Sequence, residues 1–233
     1  MNDSICLVIA HTDTNYRKRL LTECLSSIKL PVILSTNYPV SEDTQLLCDY
    51  YVYNKNNPLL YKEDFSKYKV SYNYWYIDGD GNRVVVPFNF EHGYAVYSLI
   101  REGLEFIQKL GYKKVHIINY DYNISTKTLS DNSNLLNNYD MVVYKYNDDE
   151  HDQASYCSGF ISSNLEHILP FFTKFKNKES YYSIEEPFSI LEIKLKKYLD
   201  HQNLNISEKL IDSLKESNKL NQEGLLFFSK STD

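Results

Sequence analysis

The first glycine of this 233-residue chain is Gly79, and the whole sequence holds only seven. A glycine-rich loop near the N-terminus, whose bare backbone would wrap a phosphate group, is therefore excluded. Cysteine is equally sparse: Cys6, Cys24, Cys48 and Cys157 are scattered singly, with no C-x-x-C pair and no histidine at a metal-ligand interval. That excludes a structural zinc site and a disulfide framework, and reads as small buried hydrophobes in a reducing compartment. Nowhere do about 18 apolar residues run together as a membrane-spanning helix requires, and no opening segment has the pattern of a signal peptide. A soluble, cytoplasmic protein is expected. Basic residues are the minority, 25 Lys and Arg against 31 Asp and Glu, for a formal net charge of −6. They gather nowhere, so nucleic-acid binding is not expected. Asp78-Gly-Asp-Gly-Asn82 opens like a calcium-binding loop but has Arg83 and Asn89 where Gly and Glu are needed, so it reads as a hairpin turn.

What the sequence does contain is alternation of apolar strands with amphipathic helices. Residues 5 to 10, ICLVIA, form a strand buried on both faces, ending in the polar loop His11-Thr-Asp-Thr-Asn15. Leu20, Leu21, Cys24, Leu25 and Ile28 then recur at helical spacing, with Arg17, Lys18 and Arg19 near the helix start. Val32 to Leu34 and Asp49 to Tyr53 are further strands, the first running into Ser35-Thr-Asn37. Residues 74–77 and 83–86 flank the turn as a projecting β-hairpin.

From Glu91 to Leu110 the apolar positions trace a helix closed by Gly111, and it feeds directly into the stretch VHIINYDYNI, residues 115–124. Here an apolar strand stops abruptly at Asn119, Tyr120 and Asp121. Ligands of open α/β sheets bind beyond the carboxyl ends of the strands, which makes Asp121 the first carboxylate to consider. Beyond it, the spacing predicts a short helix within 125–136, strands at 141–146 and 155–161, and a helix capped by Ser162 or Ser163. Next come the acidic pair Glu185-Glu186 heading a helix, and a last amphipathic helix from Asn205, with Glu208 as its capping partner. The fold class is α/β: a Rossmann-like, mostly parallel central sheet flanked by helices. Residues 1–200 form the main domain, with a C-terminal helical extension over 201–233 packed on it.

In this order the features resemble those of GT-A fold glycosyltransferases, in particular the family 2-like enzymes. The resemblance rests on ICLVIA-HTDTN, on HGYAVYSLIREGLEFIQKLGYKKVHIINYDYN, on YCSGFISSN and on IEEPF, and spans roughly residues 4 to 200. It implies a GT-A fold and transfer of a sugar from a nucleotide-diphosphate donor, a UDP-sugar favoured, to a glycan or other hydroxyl acceptor. It further implies inversion at the sugar and a divalent cation, Mn²⁺ or Mg²⁺. The family's D-x-D motif falls on Asn119-Tyr120-Asp121, so Asn replaces the first acid and Asp121 is the implied metal ligand. Glu186, or Glu185 beside it, is the implied catalytic base. His11, Thr12, Asp13, Asn37, His92, Gly93, Asn119 and Tyr120 are the implied donor-binding residues.

Each of these residues also has a local explanation. Asp121 suits a strand-end turn, Glu185 and Glu186 complement a helix dipole, His92 can simply begin a helix, and Trp75 can pack rather than stack on a sugar. Two other functions stay open. One is a nucleotidyltransferase on the same nucleotide-facing sheet, against which the absent glycine-rich loop counts; the other is a catalytically silent nucleotide- or glycan-binding module.

Overall fold

The computed structural model describes residues 3–56, 59–68, 73–77, 83–87, 90–145, 156–183 and 191–211. In chain order the elements begin with β1 (Ser4–Ala10), α1 (Asn15–Ser27), β2 (Val32–Thr36), α2 (Glu42–Gln45) and β3 (Tyr50–Tyr53). Four short strands follow, β4 (Leu60–Tyr61), β5 (Asn73–Ile77), β6 (Arg83–Pro87) and β7 (Phe90–Glu91), and then α3 (Gly93–Leu110) and β8 (Lys114–Asn119). The chain continues through α4 (Thr126–Leu135), β9 (Met141–Lys145), β10 (Phe160–Asn164), α5 (Leu165–Lys174), α6 (Lys178–Tyr181), α7 (Leu191–Asp200) and β11 (Ile206–Leu210).

Among the described residues, one seven-stranded sheet runs β11-β9-β10-β8-β1-β2-β3. β10 alone runs antiparallel to its neighbours; the other pairings are parallel. The expected α/β class is therefore what the chain adopts. Every residue of β1 is buried, and its side chains alternate between two cores because successive Cβ atoms point to opposite faces. Ile5, Leu7 and Ile9 enter the core beneath α3, α5 and α7, while Cys6, Val8 and Ala10 enter the core beneath α1 and α4. The expected hairpin is present as the separate antiparallel pair β5 and β6, with Asn73 opposite Pro87; its turn, 78–82, lies outside the described residues.

α3 buries Ala95, Leu99, Ile100, Leu104 and Ile107. It stops where Gly111 takes φ 81°, a left-handed conformation that costs a residue with a Cβ roughly 1 kcal/mol or more. Tyr97, fully buried, ties this helix to α5: its hydroxyl donates to the Phe171 carbonyl at 2.7 Å and accepts from the Phe175 amide at 2.9 Å. Because α3 lies antiparallel to the strands it connects, its N-terminus stands at their carboxyl ends.

Three local expectations are corrected. Ser162 and Ser163 do not cap a helix: they are buried in β10, which begins at Phe160, and Asn164 stands at the cap of α5. The strand expected at 155–161 is therefore displaced along the chain. Residues 206–210 form an edge strand beside β9 rather than the start of a helix. The reason is that Asn205 is tied to the turn before β9, its amide donating to Asp140 Oδ2 and its side chain to the Asn138 carbonyl, both at 2.8 Å. Glu208 reaches across to Lys145 and Tyr156 instead of back toward Asn205. Residues 212–233, with the rest of the expected extension, lie outside the described residues. No helix among the described residues is long and apolar enough to cross a membrane.

His116 sits fully buried in β8, with Nδ1 2.8 Å from Ser162 Oγ and Nε2 2.9 Å from Ser133 Oγ. Burial, assisted by the charge of Lys114, lowers its pKa from 6.5 to about 4. Between those values the unfolded chain binds a proton that the folded chain refuses, so stability falls as pH drops from 6.5 toward 4. The loss should total about 3 kcal/mol. The check is the difference between the two chains in urea unfolding: His116→Gln, which lacks this proton linkage, should gain about 3 kcal/mol relative to the native chain as pH falls from 6.5 to 4, whatever its stability at pH 7, and a pH-independent difference would contradict the assignment.

Candidate functional site

β1 pairs with β8 as far as Ile9 opposite Asn119, and at that level the sheet opens into polar loops. The first loop, 11–14, turns straight into α1. Thr14 caps that helix, its hydroxyl accepting from the Arg17 amide at 3.3 Å, which holds Arg17 in the first turn. Arg17 Nη1 donates to Asp13 Oδ1 at 2.7 Å. His11 is held from the other side: the amide nitrogen of Asn37, just past β2, donates to Nδ1 at 3.0 Å. The ring proton then belongs on Nε2, which stands 3.7 Å from Asp13 Oδ2. Burial keeps the His11 pKa below its usual value, although Asp13 pulls the other way, so the ring is neutral at pH 7. Tyr38 packs edge-on against it at 4.9 Å.

The second loop continues β8. The Asn119 amide donates to the Gly159 carbonyl at 2.8 Å, and the Tyr120 amide to the Ile9 carbonyl at 3.0 Å, so both neighbouring strands grip the turn. Gly159 has to be bare, since a Cβ there would lie 2.5 Å from the Tyr122 ring. Asp121 emerges from this turn with Oδ1 buried and without a hydrogen-bond partner. Burial raises its pKa from 3.8 to about 6, against the opposing pull of its own backbone amide and of Arg17. Burial, with Asp121 adding to it, also pushes Tyr120 up to about 12. Thr12 is fully buried, and its hydroxyl too has no hydrogen-bond partner.

The third flank lies on the other side of the sheet. His92 is the exposed residue at the head of α3, with no side-chain cap of its own, and Gly93 behind it is buried. Glu192, in the first turn of α7, accepts a hydrogen bond from Ser158 beside Gly159 and acts electrostatically on His92.

Of the residues singled out from sequence, His11, Asp13 and Asn37 make one contact chain, and Asn119, Tyr120 and Asp121 stand at the adjoining strand end. Thr12 lies within the first loop, and His92 and Gly93 face the crevice from the head of α3. Glu185 and Glu186 lie outside the described residues. Sequence reasoning missed Arg17, Ser158 and Glu192 as site residues. Arg17 carried a signal, a basic residue one turn into the helix after a strand-end loop; Ser158 and Glu192 carried none, because their meeting depends on β10 and α7. Among the described residues no group of three or more His, Cys, Asp and Glu side chains could hold a metal ion. The buried carboxylate oxygen that this strand end offers a cation, among the described residues, is Asp121 Oδ1.

An ionised Asp121 is costly to the fold. Its penalty is absent below pH 3.8 and complete above about pH 6, because the folded state favours the protonated acid. The side chain keeps partial contact with water, so the cost is about 1–2 kcal/mol rather than the full value of the shift. Asp121→Asn should therefore raise stability at pH 7.5 by about that amount in urea unfolding, and the gain should vanish near pH 4; a loss at pH 7.5 would show that the carboxylate is supported rather than strained.

No family model matches this chain, and no curated protein matches it. Solved structures do. The chain is similar to a protein from Desulfovibrio desulfuricans provisionally named a nucleotide-diphospho-sugar transferase, at 10% identity and a TM-score of 0.48, over 90% of this chain and 80% of that one. It is similar to a CMP:2-keto-3-deoxy-manno-octonic acid synthetase complexed with CTP, at 9% identity and a TM-score of 0.47, over 95% and 99% of the two chains. It is also similar to the galactosyltransferase LgtC, solved with donor and acceptor sugar analogs, at 13% identity and a TM-score of 0.47, over 87% and 72%.

Proposed function

We propose that this protein is a glycosyltransferase that moves a sugar from a nucleotide-diphosphate donor, a UDP-sugar in the first instance, to a hydroxyl of a glycan or other saccharide. The observation that carries this reading is Asp121 Oδ1: a carboxylate oxygen buried at the strand ends, with no partner in the protein. A fold keeps such a group at a cost to its stability, and such costs gather where a ligand completes the coordination.

His11 and Asn37 at the ends of β1 and β2 would receive the nucleoside, with the neutral imidazole presenting its Nε2 proton toward Asp13. Asp121 would hold a divalent cation, Mn²⁺ or Mg²⁺, with the donor's phosphates supplying further oxygen ligands; its hard oxygen suits such an ion. When bound, the cation supplies neutralisation of the charge that develops on the leaving diphosphate. The proton of the attacking hydroxyl would pass to a carboxylate on the acceptor side. By resemblance that base is Glu186 or Glu185; Glu192, anchored on Ser158, is the carboxylate that the described residues bring to the same flank.

A thermal-shift panel of nucleoside diphosphates with and without Mn²⁺ tests the reading. One nucleotide, at about 100 times its Kd, should raise the Tm by roughly 5–10 °C, and Asp121→Ala should lose most of the Mn²⁺-dependent part. No shift with any nucleotide would refute it. Product analysis then separates the classes: free nucleoside diphosphate marks sugar transfer, pyrophosphate marks nucleotidyl transfer, and binding without turnover marks a silent module.

A further inference from the structure

Among the described residues, Arg17 is a cation that the flanks of the crevice share. Its charge acts on His11 beyond β1, on Tyr120 and Asp121 beyond β8, and on His92 at the head of α3. Its neighbours in sequence do not share this place: Arg19 lies 3.7 Å from Glu23 and stacks over the Tyr16 ring at 5.2 Å, with two-thirds of its side chain exposed. The Thr14 cap fixes the Arg17 backbone, so the guanidinium is delivered to the crevice by the helix and not by a loose loop. In the unliganded protein it is occupied by Asp13, but that pair is a weak one. The side chains keep 27% and 35% of their surface in water, and exposed pairs of this kind are worth about 0–1 kcal/mol.

We propose that Arg17 is the phosphate-binding residue of this site, and that a diphosphate takes the guanidinium from Asp13. This rests on the donor-binding reading above and adds to it the residue that recognises the phosphates. The chemistry favours the exchange. A diphosphate presents several anionic oxygens to a planar fork of five N–H donors, which it can meet bidentately, whereas Asp13 engages a single nitrogen. A guanidinium is also permanently charged, so this contact needs no metal. With no glycine-rich loop between β1 and α1, backbone amides of that kind are not there to do the same work. Asp13, once released, still stands beside the His11 ring, 3.7 Å from Nε2.

The probe is inorganic pyrophosphate, titrated calorimetrically into the full chain in EDTA, so that neither a base nor a metal contributes. The expected result is binding that weakens with salt, falls at least ten-fold in Arg17→Gln, is partly kept in Arg17→Lys, and tightens in Asp13→Asn because the competing carboxylate is gone. Arg19→Gln, one turn face away, should bind as the native chain does. Native-like binding by Arg17→Gln, an equal loss in Arg19→Gln, or no binding by the native chain would each overturn the proposal. The broader reading is judged separately with nucleoside diphosphates and Mn²⁺: if one binds while Arg17→Gln leaves its affinity unchanged, the assignment of Arg17 fails and the donor site stands. If none binds, the site itself is refuted.

Discussion

The pairing of β1 with β8 is the constraint on which the rest of this structure depends. Both strands are buried on both faces, so their side chains are committed alternately to two cores, and neither strand can slip by one residue without exchanging those commitments. The ladder therefore ends at a defined place, Ile9 opposite Asn119. Beyond it the chain must turn outward in two adjacent polar loops. The Tyr120 amide bonding to the Ile9 carbonyl, and the Asn119 amide to the Gly159 carbonyl, make that end rigid from either side.

The electrostatics of the crevice follow from this geometry. A strand end between α1 and the sheet is poorly hydrated, so the carboxylate that emerges there has its pKa raised by burial, while the imidazole of His11 has its own lowered. Arg17 offsets part of the first effect, but it is shared with Asp13 and cannot serve every acid at once. The outcome is an unliganded site with more acceptor capacity than its own donors meet, Asp121 Oδ1 and Asn37 Oδ1 both being buried and without a partner. Such a surplus is poised for a cationic or hydrogen-donating ligand. The same burial acts on His116 one strand-length away without any such surplus, because Ser162 and Ser133 satisfy both ring nitrogens. The buried His116 is thus a fastening, and the half-buried His11 borders a site.

Much of the fold was legible because two-sided burial leaves a plain mark. ICLVIA and VHIIN could only be interior strands, and the period of 91–110 with Gly111 behind it could only be a helix with a left-handed cap. Errors fell where local chemistry pointed one way and a distant partner pulled another. Asn205 and Glu208 form a plausible capping pair in isolation, yet Asp140 and Asn138 claim the first and Lys145 with Tyr156 the second. Ser162 is a good cap by composition, but His116 and Asn132 give its hydroxyl interior partners that a helix start would not.

By itself, then, the sequence determined the alternation of strands and helices, the position of the β8 end and the identity of Asp121 as its carboxylate, since these depend on periodicity and on residue type within a few positions. Only the tertiary structure decided that Arg17 would sit among His11, Tyr120, Asp121 and His92, and that Glu192 would meet Ser158 on one flank of the crevice. These are juxtapositions of residues up to about a hundred positions apart, and they arise because a parallel sheet brings the carboxyl ends of strands together regardless of the length of chain between them. The local pattern can say where a strand stops; what it stops beside is set by how the strands are ordered in the sheet.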